Sequence, residues 1–404
     1  MNWKLVRWID IYIGIPLVYL IFLIKKIFRL SNISSEEYNN LLFIKFWGIG
    51  NIIMILPAAS ALKKKYKNAN IDLLTLTNNK DASRSAGIFR DIYTIDTTHI
   101  VKFLITSIRT FKILIKKDYD VIVDFEQFAR FSAIWCALIG RKKTVGFNTK
   151  GQHRFILYTN PTVYRDDIHI TKSFYSLVES LGVLAIDEIE PFPLNCHDHC
   201  IRTVRSILSK EGVFPEDIII ILHVGTSKNF ALRRWPFEHF AELSDRLINN
   251  FDVKIIFTGL TEEKVLIERV FAMIKNKKGA INLSGKFNFE EFIALIRLSD
   301  LVVSADTAPV HIATSLGVPV VGLYGPNTPF LYGPWGKKSI WFYRQLECAP
   351  CITNYNAKIN KCGHPEGQGA CMRKISPDEV FLGIVTNYFD EKSPFRLEKL
   401  KVNA

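Results

Sequence analysis

Asp306, Thr307, Ala308, Pro309 and His311 form a tight polar string between two apolar runs, Leu301–Ala305 and Val318–Tyr324. Each run reads as a strand, and Ile312–Leu316 reads as a short helix that Gly317 would stop. Asp306 or Thr307 suits an N-cap, because its side-chain oxygen can accept a first-turn N–H. Pro309 costs nothing at a helix start, where its missing N–H has no partner to lose. Free amides and the helix dipole then make an anion site of the kind a diphosphate needs, with His311 as a further donor. The alternative is an Asp cap on a purely structural helix.

A second cluster runs through His223, Val224, Gly225, Thr226, Ser227 and Lys228 to Arg233, Arg234 and Trp235. Gly225 permits close backbone approach, Thr226 and Ser227 supply hydroxyls, and Lys228, Arg233 and Arg234 supply charge. A guanidinium fork beside a helix start suits phosphate oxygens. The Gly50-Asn51 turn after the first strand is neither a Walker loop nor a dinucleotide fingerprint.

Four cysteines, Cys348, Cys351, Cys362 and Cys371, follow a C-x2-C-x10-C-x8-C pattern. Such an array would hold a structural zinc and pin a loop that cannot build its own core. The alternative is a set of reduced thiols. Cys196 to Cys200, with His197 and His199 between, falls in a linker and reads as coincidence.

These residues need a scaffold. With 404 residues, two domains are expected, and a hydrophobic fraction of 48% excludes disorder. The net charge of +13 suits anionic partners. The basic residues come in small clusters without interleaved aromatics, which read as solvated faces and argue against nucleic acid; the N-terminus points to a membrane surface. Ile11–Ile24 is an uncharged apolar run with Lys4 and Arg7 before it and Lys25, Lys26 and Arg29 after it. It would span a bilayer, dip into one leaflet as a kinked hairpin, or form a core helix. Asp10 and Pro16 lean toward dipping. No small-residue cleavage site follows, so a removed signal peptide is not expected.

Strands and helices alternate along both halves. Strands are expected at 41–46, 71–76 and 121–125, and helices at 52–66 and 100–116. After residues 185–198 the alternation restarts, with strands at 218–223, 254–258, 280–283 and 301–305. Helices fall between them at 201–209, 236–249, 261–274 and 289–298. The expected architecture is α/β, with two Rossmann-like parallel-sheet domains facing across a cleft. An anchoring helix fills 1–30, the first domain 38–190 and the second 196–375, with a Cys-rich loop at 346–372. A helix and tail complete 376–404. Ligands of such sheets bind beyond the carboxyl ends of the strands, where the polar clusters fall.

Three segments carry a family resemblance: 41–66, 223–243 and 301–326. Together they resemble glycosyltransferase family 9, the heptosyltransferases of bacterial envelope synthesis. The resemblance implies a glycosyltransferase B fold that moves a heptose or hexose from a nucleotide diphosphate to a lipid-linked or lipopolysaccharide-type saccharide, inverting the anomeric centre without a metal. The first domain would take the acceptor. The second would hold the donor through Gly225, Thr226, Ser227, Lys228, Arg233, Glu262, Asp306, Thr307, Ala308 and His311. No cofactor is required for transfer; the nucleotide sugar is a substrate. The implied location is the cytosolic face of the inner membrane. The membrane-like start and the Cys array resemble only a subset of the family.

One departure affects the chemistry. Many members place an Asp after the first strand as general base, where this chain has Asn51, and an amide cannot take a proton. Asp124 and Glu126, at the end of a strand in the same domain, are the substitutes, with Glu126 favoured. The alternative for that pair is a capping Asp and an acid paired with Arg130. Two readings of the whole follow: an active transferase, or a nucleotide-sugar-binding scaffold that lost its base. A nucleotide-sugar epimerase of similar fold would need no lipid acceptor, which the apolar N-terminus speaks against.

Overall fold

In the computed structural model the chain divides into two compact units, residues 1–192 and 193–404. The structure describes residues 3–27, 37–140, 142–226, 228–353, 355, 361–392, 397 and 399.

The first unit opens with helices α1 (Trp3–Tyr12) and α2 (Gly14–Ile27). Then come β1 (Asn40–Ile44), α3 (Ile49–Lys65), β2 (Asn70–Leu76), α4 (Lys80–Ser85), β3 (Ile92–Ile95) and α5 (Ile100–Leu114). It closes with β4 (Val121–Asp124), α6 (Arg130–Ile139), β5 (Lys143–Asn148), β6 (Asn160–Val163) and α7 (Ile170–Glu179). The sheet order is β3-β2-β1-β4-β5-β6, parallel throughout. Strands covered on both faces read as unbroken apolar runs, and Leu41 to Ile44 of β1 are all buried.

The second unit repeats the plan. It contains α8 (Asp198–Lys210), β7 (Ile218–His223), α9 (Phe237–Asn250), β8 (Val253–Thr258), α10 (Lys264–Met273), β9 (Ala280–Asn282) and α11 (Phe289–Leu298). Then follow β10 (Leu301–Ala305), α12 (Ala308–Leu316), β11 (Val320–Tyr324), α13 (Pro329–Tyr332), β12 (Ser339–Tyr343), α14 (Ala370–Arg373) and α15 (Pro377–Ile384). Its order, β12-β11-β10-β7-β8-β9, is the same doubly wound topology. In each sheet the order reverses between two strands, β1 and β4 or β7 and β10.

The alternation expected from sequence is present, with shifted ends. Helix α12 begins at Ala308, four residues before the expected start, and ends where Gly317 takes a left-handed conformation with φ of 69°. The turn read at Gly48–Asn51 is mostly helix: α3 starts at Ile49, after Gly48 at φ 90°. Residues 261–274 split into a 3₁₀ turn, Thr261–Glu263, and α10. Strands β3, β5, β6 and β12 were not anticipated. They are edge or near-edge strands, where burial is weaker and the apolar signal thinner.

Asp10, whose charge leans toward a dipping hairpin in the sequence, has its carboxylate 2.7 Å from Arg130 Nη1 and accepts the Arg130 N–H at 2.9 Å. Arg130, expected beside Asp124 and Glu126, is thereby taken by the N-terminal helix. Helix α2 rests on α6 and on the 3₁₀ turn Arg154–Leu157, with Val18 and Ile21 buried.

Beneath the sheet of the first unit lies a fully buried ion pair. Asp124 binds Arg154 and accepts from the Tyr158 hydroxyl at 2.7 Å. Burial pushes the Asp124 pKa up, and the Arg154 charge opposes it. Removing one partner of such a pair leaves an uncompensated buried charge. Asp124→Asn is therefore expected to destabilise the protein by roughly 3–5 kcal/mol, read as a lower denaturant midpoint; an unchanged midpoint would refute the structural role.

Candidate active site

In the second unit, three strand ends meet at one edge of the sheet. His223, the last residue of β7, pairs in register with Ser304 of β10 on one side and Thr258 of β8 on the other. Its Nδ1 lies 3.0 Å from Thr258 Oγ1. Burial pushes the imidazole pKa down to about 4, so the ring is neutral near pH 7.

Gly225 and Thr226 follow β7. A Cβ on Gly225 would fall 2.1 Å from Glu263 Oε2, so this turn admits only glycine while that carboxylate is in place. Glu263 is buried, and its Oε2 accepts the Leu260 N–H at 2.8 Å. Burial pushes the Glu263 pKa up, opposed by the Leu260 amide and by Arg234. Sequence reasoning selected the neighbouring Glu262, which is exposed. The 3₁₀ turn aims one of two adjacent carboxylates inward, and sequence could have found Glu263 only by knowing that turn.

Asp306 follows β10. It was expected, with Thr307, to cap α12. The cap position belongs to Thr307, but neither side chain caps the helix. Thr307 Oγ1 lies 3.0 Å from Ser304 Oγ and donates to the Ala305 carbonyl at 3.3 Å. Asp306 turns instead to Arg233, at 3.1 Å, and accepts from Asn327 Nδ2 at 2.8 Å. Arg233 also donates to the Asp306 carbonyl and lies over the Phe230 ring, 4.3 Å from its centroid. The carboxylate therefore fixes the guanidinium rather than the helix. The α12 N-terminus, near Ala308, is left without a side-chain cap. His311, in the first turns of α12, is buried with its ring 5.9 Å from that of Trp335.

Three buried polar atoms here have no hydrogen-bond partner within the described residues: Thr226 Oγ1, Arg233 Nε and Arg234 Nε. Arg234 is half-buried, and burial lowers its pKa against the charge of Glu263. Leaving a buried donor unpaired costs about 1–3 kcal/mol each, so the cluster is poised for an anion with several acceptor oxygens. Ser227 lies outside the described residues, as does the Lys228 side chain. Phe230, Glu263, Asn327 and Trp335 escaped sequence reasoning because each joins the cluster through folding.

The first unit has a cluster at the matching strand ends, after β1 and β4. Asn51 sits in the first turn of α3, its Nδ2 donating to the Trp47 carbonyl at 2.9 Å. Its Oδ1 is buried and has no partner among the described residues. Glu126, favoured as general base, is not free. It accepts from the amides of Phe46, at 2.6 Å, and Trp47, at 3.1 Å, and pairs with Lys45 Nζ at 3.0 Å. Burial lowers the Lys45 pKa, and the Glu126 charge opposes that. Asp124 points away, into the Arg154 and Tyr158 network. Glu126 is thus occupied in holding the loop that presents Asn51, while Asp124 also accepts the Glu126 amide at 2.9 Å.

The four loop cysteines lie close enough for their charges to interact. Burial pushes the Cys371 pKa up to about 11, with Cys351, Cys362 and Cys348 contributing. They do not form a set of ligand atoms all within 4.8 Å of one another. Among the described residues, the group that does is His199, Cys200 and Glu290. The segment read as coincidental thus gains a carboxylate from a distant helix.

The paired strand-end clusters agree with what the chain matches. Residues 107–361 fit the sequence profile described as "Glycosyltransferase family 9 (heptosyltransferase)". The chain belongs to glycosyltransferase family 9. Lipopolysaccharide heptosyltransferase 3 of Escherichia coli (strain K12) is 24% identical over 305 residues, covering 73% of this chain and 85% of that protein. The family 9 glycosyl transferase from Veillonella parvula DSM 2008 superposes with a TM-score of 0.71 at 22% identity, covering 88% of this chain and 99% of that one. The ADP-heptose lipopolysaccharide heptosyltransferase II of E. coli superposes with a TM-score of 0.66 at 17% identity, covering 86% and 97%. The family 9 chain therefore has the glycosyltransferase B fold expected from its motifs.

The buried His223 makes stability depend on pH. Its folded pKa lies below its unfolded value, so the unfolded state binds more protons between about pH 6.5 and 4. The stability it contributes is full above pH 6.5 and is lost as pH falls toward 4. The expected loss is on the order of 2 kcal/mol, less than the whole shift because the ring keeps some exposure. Urea melts across this range should show the loss in the wild type and a flatter profile in His223→Asn; parallel profiles would exclude the ring as the cause.

Proposed function

We propose that this family 9 enzyme moves a heptose or hexose from a nucleoside diphosphate sugar to a lipopolysaccharide-type acceptor at a membrane surface, with inversion and without a metal. The observation that carries the reading is the unpaired donor set around Arg233 at the end of β7, beside the uncapped start of α12. Arg233, the Thr226 hydroxyl and the backbone about Thr307 and Ala308 would bind the diphosphate. Arg233 keeps its geometry because Asp306 holds it. In the transition state the sugar C1–O bond to phosphate breaks and negative charge gathers on the leaving diphosphate. Donors already aimed at that charge lower the barrier without reorganising. The acceptor hydroxyl oxygen forms the new bond to C1 as its proton passes to solvent water or to the departing diphosphate. Asn51 Oδ1 can accept a hydrogen bond from that hydroxyl and orient it, but cannot take the proton.

A second reading rests on that same residue. With Asn51 at the expected base position and Glu126 engaged by three donors, the chain would bind a nucleotide sugar and transfer slowly or not at all. A general base contributes about 10²–10⁴ in rate.

Thermal melts with ADP, UDP, GDP, CDP and dTDP test the donor site. One nucleotide is expected to stabilise, by about 2.7 kcal/mol at 100 times its Kd. Arg233→Ala should weaken that nucleotide by about 10- to 100-fold; no shift with any nucleotide would overturn the donor reading. Asn51→Asp should raise turnover at least about 100-fold if transfer is limited by the missing base. No turnover in either protein, with nucleotide binding intact, selects the scaffold reading.

Cys348, Cys351, Cys362 and Cys371 would hold a structural zinc as four thiolates, a donor set that suits tetrahedral coordination. The metal would draw the loop sulfurs together against the buried Cys371. Elemental analysis of the purified chain should find about one equivalent, lost in Cys371→Ser; a metal-free wild type would remove the zinc.

A further inference from the structure

Helix α6 carries two other helices. On one side lies α2, fixed by the Tyr19 hydroxyl 3.0 Å from His153 Nδ1 and by Val18 and Ile21, with the preceding α1 tied by the Asp10–Arg130 pair. On the other lies α5, whose Phe103 and Phe111 rings sit 5.6 Å from Phe131 and 5.7 Å from Trp135. Val18, Ile21, Leu114 and Trp135 share one core cluster. The three helices therefore form one layer.

The outward faces of that layer are apolar. Leu20, Leu23, Ile24 and Ile27 line α2 at helical spacing, each at least 45% exposed. Val101, Leu104, Ile105 and Ile108 line α5 at the same spacing, each at least 51% exposed. Leu138 of α6 is exposed as well. Exposed apolar stripes of this size on helices packed in one layer need a partner.

Charge says which partner. Lys102, Arg109 and Lys112 are all exposed and fall along one flank of the α5 stripe at helical pitch, with Lys116 exposed just past the helix end. Lys25 and Lys26 close α2. No Asp or Glu occurs between Ile11 and Lys26 or between Ile100 and Lys117. Apolar stripes edged by cations and free of acids match a helix lying in an anionic lipid surface. A helix that crossed the bilayer would have to leave α6, exposing Val18 and Ile21 and unpairing Arg130.

We propose that α2 and α5 form a single bilayer-contacting face, which holds the first unit flat on an anionic membrane without a spanning segment. The proposal extends the membrane reading above and does not depend on sugar transfer.

The test is flotation of the full chain with phosphatidylethanolamine vesicles containing about 30% phosphatidylglycerol, against pure phosphatidylcholine vesicles, with no donor present. Wild type should float with the anionic vesicles and be released by alkaline carbonate. The Ile105→Glu/Ile108→Glu variant should partition about tenfold more weakly, with an unchanged melting temperature. The milder Ile105→Ser/Ile108→Ser pair should fall between. Wild-type partitioning of both variants would overturn the α5 contact, and carbonate resistance would mean that α2 spans. A wild type that ignores vesicles but dimerises, with monomeric variants, would make the face a protein interface and overturn the proposal. Failure to transfer sugar would leave these results standing.

Discussion

Parallel strands can be joined only through crossovers, and in each half of this chain the crossovers leave two strands side by side whose connections depart in opposite directions. Those strands are β1 and β4 in the first unit and β7 and β10 in the second. The backbone beyond their carboxyl ends is where a doubly wound sheet can bind a ligand. Asn51 and Glu126 in the first unit, and Gly225, Thr226, Asp306 and Thr307 in the second, lie on that backbone. The sheets thus fix where function can be, and the loops decide what it is.

The two units use buried charge differently. In the first, Lys45 with Glu126 and Arg154 with Asp124 are buried pairs, with the carboxylates further bound by amides or a hydroxyl and with Arg154 Nη1 unpartnered among the described residues. Such pairs give little net stability but are costly to break. They hold the β1 and β4 loops in one arrangement. In the second, Arg233 is paired with Asp306, its Nε has no partner among the described residues, and its side chain keeps 13% exposure where that of Arg154 has none. A cation that is positioned, unsaturated and reachable is suited to take an anion.

The layer of α2, α5 and α6 lies outside the strand-end clusters. It is built from the same elements that cover the sheet, so its cost in folding is small. The Asp10–Arg130 pair ties the N-terminal helix to the body of the first unit.

Much of this was legible in the chain. Short apolar runs such as Ile218–Leu222 and Leu301–Val303, bounded by polar turn residues and alternating with helical spacing, read as buried parallel strands joined by crossovers. The Asp306–His311 string and the Gly225-to-Arg233 stretch marked the family and the strand ends, because their local backbone needs are written in glycine, proline and short polar residues. Sequence could not decide the partners. Whether Glu126 is a base or a brace depends on Lys45 and two amides some 80 residues away. Whether Asp306 caps a helix or fixes Arg233 depends on a contact 73 residues distant. Glu263 rather than Glu262 faces Gly225 because of one 3₁₀ turn. Residue type and spacing determine local backbone and hydrophobic pattern, which act over a few positions. The direction of a charged side chain is set by long-range packing and desolvation, and only the tertiary structure decides those.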